Sequence, residues 1–225
     1  MKKTLKWHNI IVVSIIMLGP ALIKSTELYF MTEPSNIGDN LEFSIMDNYK
    51  AIGIQSIQLL IAFLYLRLVK FDFSTWKYKV SLKNIMIAVV VFLLLGLLMD
   101  IAMLPTYGID WVIDWIQTNN PISIFGNIDA SLIIFSLLNG FYEEIFFLGI
   151  CTAVQDKYQK IFWIYAVGLR IAVHTYQGIW SAMSLGIILG VTYHLLYRKK
   201  SNNLFIYTTS HAFADIFGLS LLHFL

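Results

Sequence analysis

Residues 131–154 form an apolar run long enough to cross a lipid bilayer, and two adjacent glutamates, Glu143 and Glu144, lie in its middle. A carboxylate at mid-membrane depth costs about 2.5–3.5 kcal/mol on insertion scales, so such residues face the interior of a helix bundle and mark a functional site by default. Adjacent helical residues point about 100° apart, so each glutamate needs its own partner. The pair therefore predicts a buried polar site inside a membrane-embedded bundle.

The whole chain has the composition of an integral membrane protein. Hydrophobic residues make up 58% of its 225 residues and charged residues 13%, and the mean hydropathy is +0.69. About 20 apolar residues span the ~30 Å hydrocarbon core, and the sequence contains seven runs of about this length: 8–30, 51–69, 84–104, 131–154, 161–176, 179–197 and 203–224. We predict an all-α, polytopic bundle of about seven transmembrane helices in the cell membrane, the first of them broken at Gly19-Pro20.

The basic residues predict the orientation of the bundle. Of the 16 lysines and arginines, 13 fall on alternate loops, at 2–6, 67–83, 157–160 and 198–200, whereas the other loops are acidic. By the positive-inside rule, the N-terminus is cytoplasmic and the C-terminus is outside. The lysine-rich start also resembles a signal peptide, but no small-x-small cleavage site precedes Lys24, so an uncleaved first span is favoured. Tryptophans and acidic residues in 105–129 predict a short amphipathic helix in the outer interface.

Further ionisable residues lie inside the later apolar runs. Arg170 and His174 are four residues apart and share a helix face, as do His211 and Asp215. Residue counts at about 1.5 Å per residue place these four side chains and Glu143 in one central layer of the bilayer. Separate helices have no reason to place polar residues at a common depth unless the residues meet. We therefore expect them to form one site.

Other polar side chains are expected to be structural. His194 is interpreted as a packing residue, His8 and His223 as interfacial residues, and the single cysteine, Cys151, as a small apolar packing residue. A purely structural network is the alternative for the central residues themselves. Buried ion networks are often no more stable than an apolar core, however, so stability alone is a weak reason to keep one.

The chemistry available to the central residues is hydrolysis of an amide bond. A glutamate that deprotonates a water, a histidine that orients it, and a second histidine with a carboxylate one turn away that stabilises an oxyanion make a hydrolytic site. Glutamate, histidine and aspartate are also competent zinc ligands, so a zinc site is the alternative. The sequence His-Glu-x-x-His is absent, and the zinc ligands would come from three separate helices.

Three motifs resemble, in order and spacing, those of the CAAX-protease and bacteriocin-processing (abortive-infection) family of intramembrane endopeptidases. They are Glu-Glu-Ile-Phe-Phe-Leu-Gly over 143–149, Arg-x-x-x-His-Thr-Tyr-Gln-Gly over 170–178, and His-Ala-Phe-Ala-Asp over 211–215. The resemblance covers about residues 80–225 and implies a protease core there, after two N-terminal transmembrane helices in 1–79. It also implies a metal-independent peptidase in which Glu143 activates water with His174 as its partner, while His211 and Asp215 face the oxyanion.

The resemblance implies a peptide or membrane-protein substrate within the lipid bilayer, and no nucleic-acid partner is expected. Two residues depart from the family pattern: Leu148 stands where an arginine is expected, and Arg170 where a phenylalanine is expected. We predict that one cation has moved between helices, and that Arg170 pairs with Glu144 or Glu143. The departure also leaves an alternative open, an inactive family member that serves as a bacteriocin immunity or membrane scaffold protein. A proton-coupled carrier has less support, because no inverted pair of broken helices is present.

Overall fold

A computed structural model describes residues 3–31, 44–118 and 128–224, and these ranges are helical, with no β-strand among them. Each predicted apolar run contains a helix. The helices are α1 (Trp7–Met31), α2 (Ile45–Leu68), α3 (Leu82–Thr118), α4 (Ala130–Ala153), α5 (Gln159–Val173), α6 (Ile179–Lys199) and α7 (Leu204–Phe217).

Within the described ranges, five helices are long and apolar enough to cross a membrane: α1, α2, α3 as far as Pro105, α4 and α6. The protein is thus a multi-pass membrane protein. The predicted count of seven spans is not confirmed, because α5 has 15 residues and α7 has 14. At 1.5 Å per residue these helices are about 21–23 Å long, shorter than the ~30 Å hydrocarbon core. The orientation of the N-terminus remains a prediction.

Two helices differ from the sequence predictions. The predicted break at Gly19-Pro20 is wrong, because α1 runs without interruption through Pro20. Membrane helices tolerate proline where neighbouring groups satisfy the freed backbone. In α3 the break lies instead at Gly108, whose φ of 78° and ψ of 166° are not helical. The predicted helix within 105–129 corresponds to the part of α3 that follows this break and ends at Thr118, and residues 119–127 lie outside the described ranges.

One end of the bundle is closed by contacts between loops and helix ends. The Trp76 indole donates a hydrogen bond to the Gly149 carbonyl over 3.1 Å, and the Leu204 amide donates to Lys77 over 2.8 Å. The Leu5 amide donates to Ala153 over 2.7 Å at the same end. We call this the basic end, because the α2–α3, α4–α5 and α6–α7 connections, together with the helix turns next to them, carry ten of the 16 lysines and arginines.

Helices α4 and α7 pack closely at Gly140. A Cβ atom at this position would lie 2.4 Å from the Thr208 carbonyl oxygen and 3.0 Å from the Ala212 amide nitrogen. These are backbone atoms of α7, which cannot rotate away as a flexible side chain would. Gly140 thus permits the close approach that brings His211 of α7 next to the glutamates of α4.

We expect Gly140→Ala to destabilise the protein by about 1–3 kcal/mol, because the added methyl group forces two helix backbones apart. The measurement is the midpoint of thermal unfolding in detergent. Gly53→Ala in α2 is the matched control, since a Cβ there would meet nothing within 4 Å. Equal midpoints for the two variants would contradict the role assigned to Gly140.

Candidate intramembrane active site

The two glutamates lie where α4 changes its helical geometry. Glu143 and Glu144 immediately precede a wide π-helical turn, Ile145–Ile150, whose six residues are all buried. Wide turns of this kind are rare and occur frequently at functional sites. Glu144 is fully buried, and Glu143 is 9% exposed. The α4 sequence therefore presents two carboxylates to the interior of the bundle, as predicted.

Arg170 of α5 pairs with Glu144. Its Nη2 atom lies 2.9 Å from both carboxylate oxygens, and its Cζ atom lies 4.0 Å from the centroid of the Phe147 ring. The predicted contact is confirmed, although one guanidinium nitrogen makes both hydrogen bonds in place of two parallel ones. Leu148, at the position where the family pattern has arginine, is buried among apolar residues. The cation beside the glutamates thus comes from α5.

His211 of α7 is the second partner of Glu144. Its Nδ1 atom lies 2.7 Å from Glu144 Oε1. Because an ionised carboxylate can only accept hydrogen bonds, Nδ1 carries the proton and donates it. Glu144 therefore joins α4, α5 and α7 at one point, and both of its oxygens already have partners within the protein.

Glu143 is surrounded by nitrogen atoms that do not reach it. Its carboxylate oxygens lie 3.7 Å from Arg170 Nη1, 3.9 Å from His174 Nε2 and 4.0 Å from His211 Nε2. These separations exceed hydrogen-bond length and suit a shared water molecule. Glu143 Oε2 and Arg170 Nη1 are buried atoms without a hydrogen-bond partner. Glu143 is thus the carboxylate with unused hydrogen-bonding capacity.

His174 lies at the end of α5, where it is the C-terminal cap residue. Its Nδ1 atom lies 2.7 Å from the Arg170 carbonyl oxygen. A carbonyl oxygen only accepts, so Nδ1 carries a proton and the Nε2 atom of the neutral ring is an acceptor directed toward Glu143. This arrangement fixes which ring nitrogen faces the carboxylate.

Asp215 belongs to a hydrogen-bonded chain that includes residues missed in the sequence. The Asn139 amide donates to Asp215 Oδ2 over 2.8 Å, and the Gln55 amide of α2 donates to Asn139 over 2.7 Å. Asp215 Oδ1 lies 3.6 Å from His211 Nε2. Asn139 and Gln55 were not predicted, because neutral amides need a charged partner less than ionisable groups do. The available signal was the position of Asn139 within the apolar run, one turn before Glu143.

A cavity of about 890 Å³ leads to these residues. Glu143, Arg170, His174, His211 and Asp215 all line it, whereas Glu144 does not. Cavities of about 300–1,000 Å³ are typical of ligand sites. The structure thus brings all the predicted central residues together. All of them except Glu144 line the cavity.

A metal ion fits these residues poorly. Among the described residues, Glu143, Glu144 and His211 each place one ligand atom within 4.8 Å of the others. However, the Arg170 guanidinium is hydrogen-bonded to both Glu144 oxygens. A divalent cation at this point would have to displace Arg170 or lie next to its positive charge. The donor set is therefore better matched to a guanidinium than to zinc.

The side chains expected to be structural lie apart from the cavity. His194 packs against Trp163, with ring centroids 5.6 Å apart, and His8 packs against Trp7 at the surface. Cys151 is buried in the hydrophobic core. The side chain of His223 lies outside the described residues.

The comparisons with known proteins agree with the motifs. A family model described as "Type II CAAX prenyl endopeptidase Rce1-like" matches residues 126–217. The match includes the glutamate pair, Arg170, both cavity histidines and Asp215. No curated protein matches the chain, and no solved structure matches it.

We expect Arg170→Leu to lower the free energy of unfolding by about 3–5 kcal/mol, because it leaves Glu144 buried without its cation. Adding Leu148→Arg to this variant should restore part of the loss. Thermal unfolding in detergent measures both effects. Arg198→Leu, which removes an exposed arginine, is the control and should change stability little. If Arg170→Leu were as stable as the control, the ion pair would not hold the site together.

Proposed function

We propose that the protein is a glutamate-dependent intramembrane endopeptidase, a proposal supported by the match of residues 126–217 to the Rce1-like family model. It hydrolyses a peptide bond of a membrane-associated peptide or protein. The observation that carries the proposal is Glu143, a cavity-lining carboxylate with an unpaired oxygen, surrounded by Arg170, His174 and His211 at 3.7–4.0 Å.

In the first step, Glu143 acts as the general base toward a water molecule. The water donates one hydrogen bond to Glu143 Oε1 and one to His174 Nε2, which are 3.9 Å apart. Glu143 takes a proton as the water oxygen bonds to the carbonyl carbon of the substrate. The fixed Nδ1 hydrogen bond of His174 keeps its Nε2 directed at the water.

In the second step, the tetrahedral intermediate breaks down. Arg170 Nη1, which has no hydrogen-bond partner, and a protonated His211 Nε2 are the donors available to the oxyanion. Asp215 is a carboxylate and stabilises the protonated His211 ring from 3.6 Å. Glu143 returns its proton to the leaving amine as the C–N bond breaks. Glu144 positions Arg170 and His211 and does not face the cavity.

The N-terminal helices contribute to the site in this proposal. We place the protease core in residues 80–225, with residues 1–79 as a packing and lining unit. The hydroxyl of Tyr142, one residue before Glu143, lies within hydrogen-bond distance of the Met17 carbonyl of α1 and of the Gln58 side chain of α2. Ser25 of α1 lies 2.9 Å from Thr175, next to His174. Helices α1 and α2 thus hold the segments that carry Glu143 and His174.

The alternative of an inactive immunity or scaffold protein was suggested by Leu148, which removes the family's arginine. Arg170 supplies a cation beside Glu144, so this motivation is weakened. The alternative predicts that function in the cell survives loss of Glu143. It is therefore decided by the same substitution that tests hydrolysis.

We expect Glu143→Gln to lower the rate of hydrolysis by a factor of at least about 10²–10⁴, because the amide cannot accept the proton of water. The assay uses purified protein in detergent and internally quenched peptides that end in a CAAX sequence, with and without a farnesyl group. Glu27→Gln, which changes an exposed glutamate of α1, is the control. Unchanged turnover in Glu143→Gln would exclude the proposed base.

Chelation distinguishes the glutamate mechanism from a zinc mechanism. We expect 1,10-phenanthroline or EDTA to leave the hydrolysis rate unchanged, because Arg170 occupies the carboxylate that a metal would need. Loss of activity on chelation, with recovery when zinc is added back, would assign the site to a metal instead.

A further inference from the structure

The cavity extends from the catalytic layer toward one end of the bundle only. On α4, the lining residues fall between Asp129 and Glu143, and none follows Glu143. On α2 they fall between Ser44 and Gln55, which is the first half of that helix. The α4 and α2 termini at Asp129 and Ser44 lie at the end opposite the basic end.

The remaining helices show the same distribution. The lining residues of α5 begin at Arg170, in its last turn, and those of α7 and the residues after it run from His211 to Leu219. On α1 they are Leu18 and Ala21. Each of these sets lies on the side of the catalytic layer that is farther from the basic end. The cavity therefore opens at the end formed by Ser44 and Asp129.

The part of the bundle between the glutamates and the basic end is tightly packed. The wide turn Ile145–Ile150 is completely buried, and Phe71 from the α2–α3 connection is fully buried in the same core. Hydrogen bonds of Trp76 to Gly149 and of Leu204 to Lys77 hold the connections against the helix ends. A substrate cannot reach Glu143 through this packing without disrupting it.

The basic residues identify the side of the membrane that the sealed end faces. Ten basic residues lie in the connections at that end or in the helix turns next to them: Arg67, Lys70, Lys77, Lys79, Lys83, Lys157, Lys160, Arg198, Lys199 and Lys200. In the sequence, the segments 32–43 and 119–129 contain acidic residues and no lysine or arginine, and Lys24 of α1 and Lys50 of α2 are the basic residues nearest to them. By the positive-inside rule, the sealed end is cytoplasmic and the cavity opens to the other side.

We propose that the substrate reaches Glu143 from the non-cytoplasmic side, as an exported peptide or as the outward-facing segment of a membrane protein. This inference rests on the proposed function. It restricts the substrate class, because a tail confined to the cytoplasm has no path through the sealed end. The hydrolytic chemistry itself is the same for either side of entry.

Single-cysteine labelling tests the direction of the opening without a substrate. The background is Cys151→Ala, which removes the one cysteine of the chain. Ala51→Cys places a thiol inside the cavity, and Lys200→Cys places one on the exposed α6–α7 connection. A membrane-impermeant, charged methanethiosulfonate is added to intact cells or to inside-out vesicles.

We expect Ala51→Cys to react in intact cells and to be protected in inside-out vesicles, with the reverse result for Lys200→Cys. Reaction of Ala51→Cys only in inside-out vesicles would overturn the proposal. So would a lack of reaction from both sides when the same thiol reacts in denatured protein. Each of these outcomes is independent of catalysis, so failure of the proposed function would not affect them.

An activity measurement connects the opening to substrate entry. After modification in detergent, the rate at which Ala51→Cys hydrolyses the quenched CAAX-terminated peptides should fall at least about tenfold. The rate of modified Lys200→Cys should stay the same. The unmodified Ala51→Cys protein supplies the reference rate against which the modified protein is compared. Equal activity of modified and unmodified Ala51→Cys would show that substrate enters elsewhere. If all unmodified proteins were inert, the hydrolytic function would fail, while the labelling result would still stand.

Discussion

The ion pair between Arg170 and Glu144 is the interaction on which the site depends. Both side chains are almost completely excluded from solvent, at 2% and 0% exposure, so neither charge can be stabilised by water if the other is lost. The same carboxylate accepts a hydrogen bond from His211. One buried glutamate thus fixes the relative positions of α4, α5 and α7, which carry all the cavity-lining polar residues assigned to the mechanism.

This pairing separates the roles of two adjacent glutamates. Glu144 has both oxygens satisfied by Arg170 and is directed away from the cavity. Glu143 keeps an unpaired oxygen and lines the cavity. Neighbouring helical residues point about 100° apart, so Glu144 faces the contact between α4, α5 and α7 while Glu143 faces the cavity. The organising and the reactive carboxylates are therefore consecutive in the chain.

The site could be predicted from the sequence because ionisable residues are expensive in a membrane and the helical repeat places them on shared faces. The contact of Arg170 with one of the two glutamates was predicted from charge balance together with the two departures from the family pattern, and the structure identifies that glutamate as Glu144. The amides of Asn139 and Gln55 could not be predicted in this way, because burying a neutral side chain without a partner costs less free energy than burying a charged one. The break expected at Pro20 failed for a related reason. A proline disturbs a helix locally, and the surrounding bundle decides whether the helix continues.

The short lengths of α5 and α7 and the existence of the cavity have one physical origin. Helix α5 ends at Val173, and the chain turns at Gly178 with a φ of 89°. Helix α7 ends at Phe217, next to Gly218 with a φ of 80°. Non-helical backbone at membrane depth is tolerated only where it is buried in protein or lines a water-filled cavity. Hydropathy registers the apolar residues on both sides of Gly218 as one continuous run, 203–224, although α7 stops at Phe217. The runs 161–176 and 179–197 are separated at Gly178 in the sequence, as the helices are in the structure. The early end of α5 places His174 at the cavity, and Asp215 in the last turn of α7 lies at the same cavity.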